Sequence, residues 1–174
     1  MILFFSILLG TVVVDQISKW LVVSNMELGE VIPLIPNFLN LQYITNDGAA
    51  MGMLDNARWV FMVFSTVAIA AILFYIFYFR PKDRLILISL SLIAGGGIGN
   101  MIDRIYLEYV IDFIDFSDFG FPWIFNLADS FVCIGCGMMI LYLIMDIVKD
   151  SKREKAEREA ALNAENGREN QDEE

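Results

Sequence analysis

Apolar residues along this chain fall into four long runs, roughly Ile2–Val22, Ala57–Phe79, Leu85–Tyr106 and Trp123–Val148. Each reaches the about 20 residues that a helix needs to cross the hydrocarbon core of a bilayer. The pattern therefore predicts four transmembrane helices. Between the first two runs the period changes. In Phe38–Ile44, Leu39, Leu41 and Tyr43 alternate with Asn40, Gln42 and Ile44, which mostly fits a half-buried strand. Val31–Ile32, ahead of Pro33, offers a pairing partner, and Asn46-Asp47-Gly48 signals a turn. Between the last two runs, acids alternate with Phe113, Ile114, Phe116, Phe119, Phe121 and Trp123. Aromatic residues at that density suit a segment resting in the membrane interface. The expected fold class is an all-α polytopic membrane protein with four transmembrane helices, a small extracytoplasmic β-sheet and an interfacial loop. Residues 1–148 form the membrane domain. Residues 149–174 form a charged cytoplasmic tail, continuing the fourth helix and disordered over Asn163–Glu174.

Basic residues give the orientation. Arg80, Lys82 and Arg84 lie between runs two and three, and Lys149, Lys152, Arg153, Lys155 and Arg158 follow run four. Val23–Asn56 and Leu107–Pro122 contain no Lys or Arg. By the positive-inside rule both termini are cytoplasmic and the two Lys/Arg-free loops lie outside. Composition agrees with a membrane protein: 57% of the 174 residues are hydrophobic and the mean hydropathy is +0.57. The net charge of -10 does not suit nucleic acid, which attracts basic surfaces. The chain has no histidine, which excludes Ser-His and Cys-His triads and His-bound metals. Cys133 and Cys136 have a redox spacing, but within an apolar run core packing is the expected role.

Ionisable residues inside spans are costly and mark function by default. Here they gather at one level. With the N-terminus inside, Asp15 and Lys19 lie in the outer half of span one, and Asn100, Asp103 and Arg104 in the outer half of span three. Asp129 lies one or two turns below the outer surface in span four, and Asp112 just past span three. Asp15 and Lys19, at i and i+4, share a helix face and neutralise each other. Asp103 and Arg104 are adjacent and point apart, so they are expected to pair with groups on other spans or across to the Asp15/Lys19 pair. Two acids then match two bases, which leaves Asp112 and Asp129 without a basic partner. Two such carboxyls brought together share one proton, the arrangement of an aspartic peptidase. The plainer readings are that Asp112 is an ordinary loop acid and Asp129 a residue facing a helix N-terminus. A Ser–Lys pair of Ser130 and Lys19 is the catalytic rival. Outside catalysis, the alternative is a small channel, transporter or structural subunit held by outer-leaflet charge pairs. The run Gly95-Gly96-Gly97 with Gly99 is read first as a surface for close helix approach.

Five blocks resemble the lipoprotein signal peptidase (signal peptidase II) family in order: Asp15-Gln16-Ile17-Ser18-Lys19, Asn46-Asp47-Gly48-Ala49-Ala50-Met51-Gly52, Gly95 through Arg104, Val110-Ile111-Asp112-Phe113, and Phe125-Asn126-Leu127-Ala128-Asp129-Ser130. The second block departs from the family in carrying Met51 where an aromatic residue is frequent. The resemblance implies an intramembrane aspartyl endopeptidase of the bacterial cytoplasmic membrane. It would remove the signal peptide of diacylglyceryl-modified prolipoproteins on the amino side of the lipidated cysteine. It implies Asp112 and Asp129 as the catalytic pair. Asp15, Lys19, Asn46, Gly48, Asn100, Asp103, Arg104 and Asn126 would support the site or bind substrate. No metal or other cofactor is implied. The expected partners are the prolipoprotein signal peptide with its diacylglyceryl-cysteine and membrane lipid, with no nucleic acid and a monomeric enzyme.

Overall fold

The computed structural model describes residues 1–48 and 58–172, with side chains described through residue 158 apart from that gap. Ala49, Ala50, Met51 and Gly52 of the second block lie outside the described residues. Four helices are present among the described ones: α1 (Ile2–Asn25), α2 (Arg58–Phe79), α3 (Arg84–Tyr106) and α4 (Leu127–Asp172). All four are long and apolar enough to span a membrane. Four strands form one antiparallel sheet in the order β1 (Val31–Ile35), β2 (Leu39–Asn46), β3 (Val110–Asp115) and β4 (Ile124–Phe125). The chain divides into two compact units, Met1–Met138, which holds the sheet and the helix packing, and Met139–Glu174, which is helical to Asp172.

The glycine run explains why α3 is the hub of the first unit. With no Cβ, Gly95 and Gly99 bring α3 against α1, where Thr11 and Asp15 occupy the space a side chain would need. Gly96 does the same toward α4: a Cβ there would meet the Ala128 carbonyl oxygen and lie 2.8 Å from Val132 Cγ2. Gly97 faces Ile69 of α2. Gly95, Gly96 and Gly99 thus let one helix approach two neighbours closely, the packing that replaces hydrophobic driving force in lipid, while a Cβ at Gly97 would make only ordinary contact with α2. Gly96→Ala is therefore expected to cost about 1–3 kcal/mol by overpacking. A thermal unfolding midpoint in detergent equal to wild type would mean that the α3–α4 contact does not depend on a missing Cβ at position 96.

The sheet caps the end of the bundle where α1 and α3 finish and α4 begins. Val22, Tyr43, Ile111 and Phe113 form its core, with Met26, Leu41 and Leu127 against them. The expected pairing of Val31–Ile32 with the 39–44 segment is present, with Val31 opposite Gln42 and Ile32 opposite Leu41. The alternation does not hold through β2. The register slips between Leu41 and Ile44, one extra residue bulging against β3, and a bulge resets which face each side chain takes. Tyr43 is consequently buried while Leu39 and Leu41 are only half-buried, and Asn40 is buried on the other side of the slip.

Two expectations need correcting. Asp112 is not in a loop but in the middle of β3, opposite Ile44 of β2. The aromatic segment after α3 is thus partly sheet: Phe113 belongs to the core, and Phe116 and Phe119 set their rings edge-on to Phe38 at 5.5 and 5.2 Å. Span four also begins later than Trp123. Ile124 and Phe125 pair with Asp115 and Ile114, and the helix starts only at Leu127. Apolarity alone does not separate a buried strand from the first turn of a helix.

Candidate active site

The N-terminus of α4 has orphan backbone N–H groups that need acceptors. Three side chains supply them. Asn126 Oδ1 accepts from Asp129 N at 3.0 Å, while Asp129 Oδ2 accepts from Asn126 N at 3.2 Å. This reciprocal pair is a capping box, with Asp129 in the acidic position. Asp15 of α1 reaches across and accepts from Ala128 N at 2.9 Å. The start of α4 is thereby tied to α1, and the Asp129 carboxyl is held in one orientation.

The second Asp15 oxygen accepts an ion pair from Lys19 Nζ at 2.9 Å. Lys19 also contacts Asp103 Oδ2 at 2.8 Å and Asn100 Oδ1 at 2.9 Å. All three ammonium protons are then used, and the side chain is buried. The expected i, i+4 pair is present, but the two-acids-for-two-bases arithmetic is not. Lys19 serves both Asp15 and Asp103. Arg104 has no carboxylate within ion-pair distance among the described residues; it donates to the Asn100 carbonyl at 3.4 Å and lies over the Phe61 ring, 5.1 Å from its centre. Gln16, which sequence reasoning passed over, completes the cluster: its Nε2 lies 2.9 Å from Asp103 Oδ1 and 3.2 Å from both Asp15 Oδ2 and the Gly99 carbonyl. A third polar side chain beside Asp15 and Lys19 in an apolar span was the available signal.

From this cluster the network runs directly to the two acids. Asn100 Nδ2 donates to Asp129 Oδ1 at 2.7 Å. Asn126 Nδ2 donates to Asp112 Oδ1 at 2.7 Å and also lies 3.0 Å from Asn100 Oδ1. Asn46 is the diagonal neighbour of Asp112 across the β2–β3 pair, within side-chain reach, and its Nδ2 donates to Asp112 Oδ2 at 2.8 Å. Asn46 is in turn held by Gly48 N, which donates to Asn46 Oδ1 at 3.1 Å, so the Asn-Asp-Gly turn orients the asparagine. The three asparagines are thus committed to carboxyl groups. Asp112 and Asp129 are joined through one residue, Asn126, and neither has a cation within ion-pair distance among the described residues.

Both acids line one cavity of about 420 Å³, with Asn46, Gly48, Asn100 and Arg104 on its polar side and Phe61, Trp123 and Val132 on its apolar side. Burial pushes the Asp112 carboxyl from an ordinary 3.8 up to about 7, and the nearby Asp129 charge pushes the same way. Hydrogen bonds from Asn46 and Asn126 and the charge of Lys19 oppose the rise without cancelling it. Folding therefore favours the protonated form, so Asp112's contribution to stability is full below about pH 4 and is lost as pH rises toward 7.

The rival groups are placed differently. Ser130 Oγ donates to the Asn126 carbonyl at 3.0 Å within its own helix, and Lys19 is saturated by its acceptors. Cys133 and Cys136 are free thiols and both exposed on the protein surface, so the expected core role is corrected. In a membrane helix apolar side chains face lipid as readily as protein. Cys133 also forms part of the cavity wall.

Residues 7–145 match the family model described as Signal peptidase (SPase) II. Two solved bacterial membrane enzyme structures, determined in meso, are similar to this chain. One is 32% identical with a TM-score of 0.77, covering 83% of this chain and 88% of the other. The second is 32% identical with a TM-score of 0.75, covering 82% and 93%. The match takes in all but the first six residues of the first unit and every block of the polar network, and the chain is a membrane peptidase belonging to the signal peptidase II family.

Proposed function

We propose that this protein is an intramembrane aspartyl endopeptidase that removes the signal peptide from diacylglyceryl-modified bacterial prolipoproteins, cutting on the amino side of the lipidated cysteine. Asp112 and Asp129 are its catalytic pair. One observation carries this reading: two acids from different elements line one cavity, linked through Asn126 and with no cation within ion-pair distance among the described residues. At neutral pH the pair holds one proton. The ionised carboxylate takes a proton from water as the oxygen attacks the scissile carbonyl. The protonated carboxyl gives its proton to the carbonyl oxygen, forming a neutral gem-diol. Collapse breaks the C–N bond, and the amine of the lipidated cysteine leaves with a proton from the pair. Arg104, at the cavity wall, offsets the negative charge the pair retains. The Lys19 cluster and the asparagines hold both acids in place and are positioning residues.

The lysine and arginine distribution supports cytoplasmic termini, with the site near the outer face of the bacterial cytoplasmic membrane. A signal peptide and a diacylglyceryl chain are both retained in lipid, which suits a site at the rim of a four-helix bundle.

The test is release of the signal peptide by purified protein. Cleavage of a diacylglyceryl-modified prolipoprotein, and none of its unlipidated precursor, is expected, with the lipidated cysteine as the new N-terminus by mass spectrometry. Cleavage elsewhere, or equal cleavage of both precursors, overturns the reading. The pH profile follows from Asp112. Above about pH 7 both acids ionise and the proton donor is lost, so the rate is expected to fall as pH rises, approaching about tenfold per pH unit. Because the titration belongs to the pair, Asp112→Asn cannot simply shift that limb. A rate that stays flat to pH 9 excludes a shared-proton mechanism.

A further inference from the structure

One buried group on a residue of the cavity wall is left over by the chemistry above. The Trp123 indole nitrogen is shielded from solvent and has no hydrogen-bond partner among the described residues. A buried N–H without an acceptor costs about 1–3 kcal/mol, and such a group in a native fold needs a reason. Its surroundings hold the ring firmly. Phe121 meets it edge-on at 4.3 Å between ring centres, and Phe121 itself stacks on Phe125 at 5.6 Å. The next two residues, Ile124 and Phe125, are fixed by pairing with β3. Asn126, one residue further, is the link between the two acids. Trp123 is therefore anchored to the same backbone as the catalytic pair, and it lines the same cavity.

We propose that the Trp123 indole N–H is a substrate-binding donor, left without an acceptor among the described residues because its acceptor is a carbonyl oxygen of the bound substrate. The inference rests on the lipoprotein peptidase reading. The chemistry favours a carbonyl for two reasons. An indole N–H donates only and is neutral, so it suits an uncharged acceptor, unlike the charged Arg104 that lines the same cavity. A lipopeptide entering from the membrane has also shed water from its carbonyls and needs donors for them. Two kinds of carbonyl meet that description: a backbone carbonyl of the extended signal peptide and an ester carbonyl of the diacylglyceryl group. Both would use the donor identically.

The decisive variant places 3-benzothienylalanine at position 123, which keeps the ring size and replaces the N–H by sulfur; Trp123→Phe is made alongside it. Removing an unpaired buried donor relieves the free protein, so the benzothienyl variant is expected to unfold at the wild-type temperature or above it. Its kcat/KM on a diacylglyceryl lipopeptide is expected to fall about tenfold, the loss of one hydrogen bond at a site without water. A lipopeptide with ether-linked chains separates the two acceptors. Loss on the diester alone assigns the ester carbonyl, and equal loss on both assigns the peptide. Unchanged kcat/KM on the diester overturns the inference, as does a fall in activity matched by a lower unfolding temperature, which marks a structural role. A turnover-independent readout separates this from the peptidase reading. The Trp123 indole proton resonance, identified by its absence in Trp123→Phe, is expected to move on adding the lipopeptide even if no cleavage occurs, and a resonance that stays in place sinks the inference even if cleavage proceeds.

Discussion

Turnover of the lipidated precursor is expected to fall by about a thousandfold when either Asp112 or Asp129 is replaced by Asn. Asn keeps the size and one acceptor oxygen but cannot ionise or pass a proton. Asp112→Asn removes the group that burial keeps protonated to about pH 7. Asp129→Asn removes the partner carboxyl. Both lose the same unit, so the double variant is expected to be no slower than either single one. Multiplicative losses would mean that the two acids act separately. The structural cost is shared by both. Asp112 accepts from Asn46 Nδ2 and Asn126 Nδ2, just as Asp129 accepts from Asn100 Nδ2 and Asn126 N. An amide at either position turns one acceptor into a donor facing a donor. That is expected to cost about 1–3 kcal/mol, so unfolding is measured beside turnover. Each variant must remain inserted and folded for the comparison to count. Either single variant retaining a tenth or more of wild-type activity removes that acid from the catalytic pair.

Lys19→Met is expected to be the most damaging change to stability, at about 3–5 kcal/mol. Lys19 is the only cation touching Asp15 and Asp103 among the described residues, and all three are buried together. Methionine fills similar space but leaves two carboxylates facing each other with no counter-charge. The damage should spread to the active site, because Asp15 also holds Ala128 N beside Asp129, and the Asn100 side-chain oxygen loses one of its two donors and keeps only Asn126. Thermal unfolding in detergent and turnover should therefore fall together. Adding Asp103→Asn to Lys19→Met removes one of the stranded charges and is expected to recover part of the loss, a coupling a double-mutant cycle reads directly. A loss below about 1 kcal/mol for Lys19→Met would mean that the cluster is hydrated, as exposed ion pairs are. Lys19→Arg is not a neutral control, since a planar guanidinium does not reproduce three contacts from one nitrogen.

Much of the site was legible from residue types. An acid in an apolar span is expensive, so Asp15, Asp103 and Asp129 stood out by their surroundings alone. The i, i+4 spacing of Asp15 and Lys19 stated their contact directly. The capping box was also present as Asn126 followed three residues later by Asp129, a signal that names a helix start. Reading it would have moved the start of span four from Trp123 to Leu127. The charge count went wrong at Arg104, because counting acids against bases assumes one partner each. Lys19 carries three donors on one nitrogen and took two acids, which freed Arg104 for the cavity wall.

The sequence by itself determined the four spans, the strand pairing near residue 40 and the identity of the buried charges. Each follows from hydropathy, period or composition over a few neighbouring residues. Only the tertiary structure decided how those charges meet. Gly95, Gly96 and Gly99 set how closely α3 approaches α1 and α4, and that separation fixes whether Lys19 reaches Asp103, or Asp15 reaches Ala128. The bulge in β2 decided the register that sets Asn46 beside Asp112. The Trp123 nitrogen has no acceptor among the described residues for the same reason: an acceptor is supplied or withheld by groups distant in sequence, which no local pattern encodes. Local patterns report what a residue is and which face it takes. The contacts that turn two aspartates into a pair are made between helices and strands, and they depend on packing distances that exist only once the chain has folded.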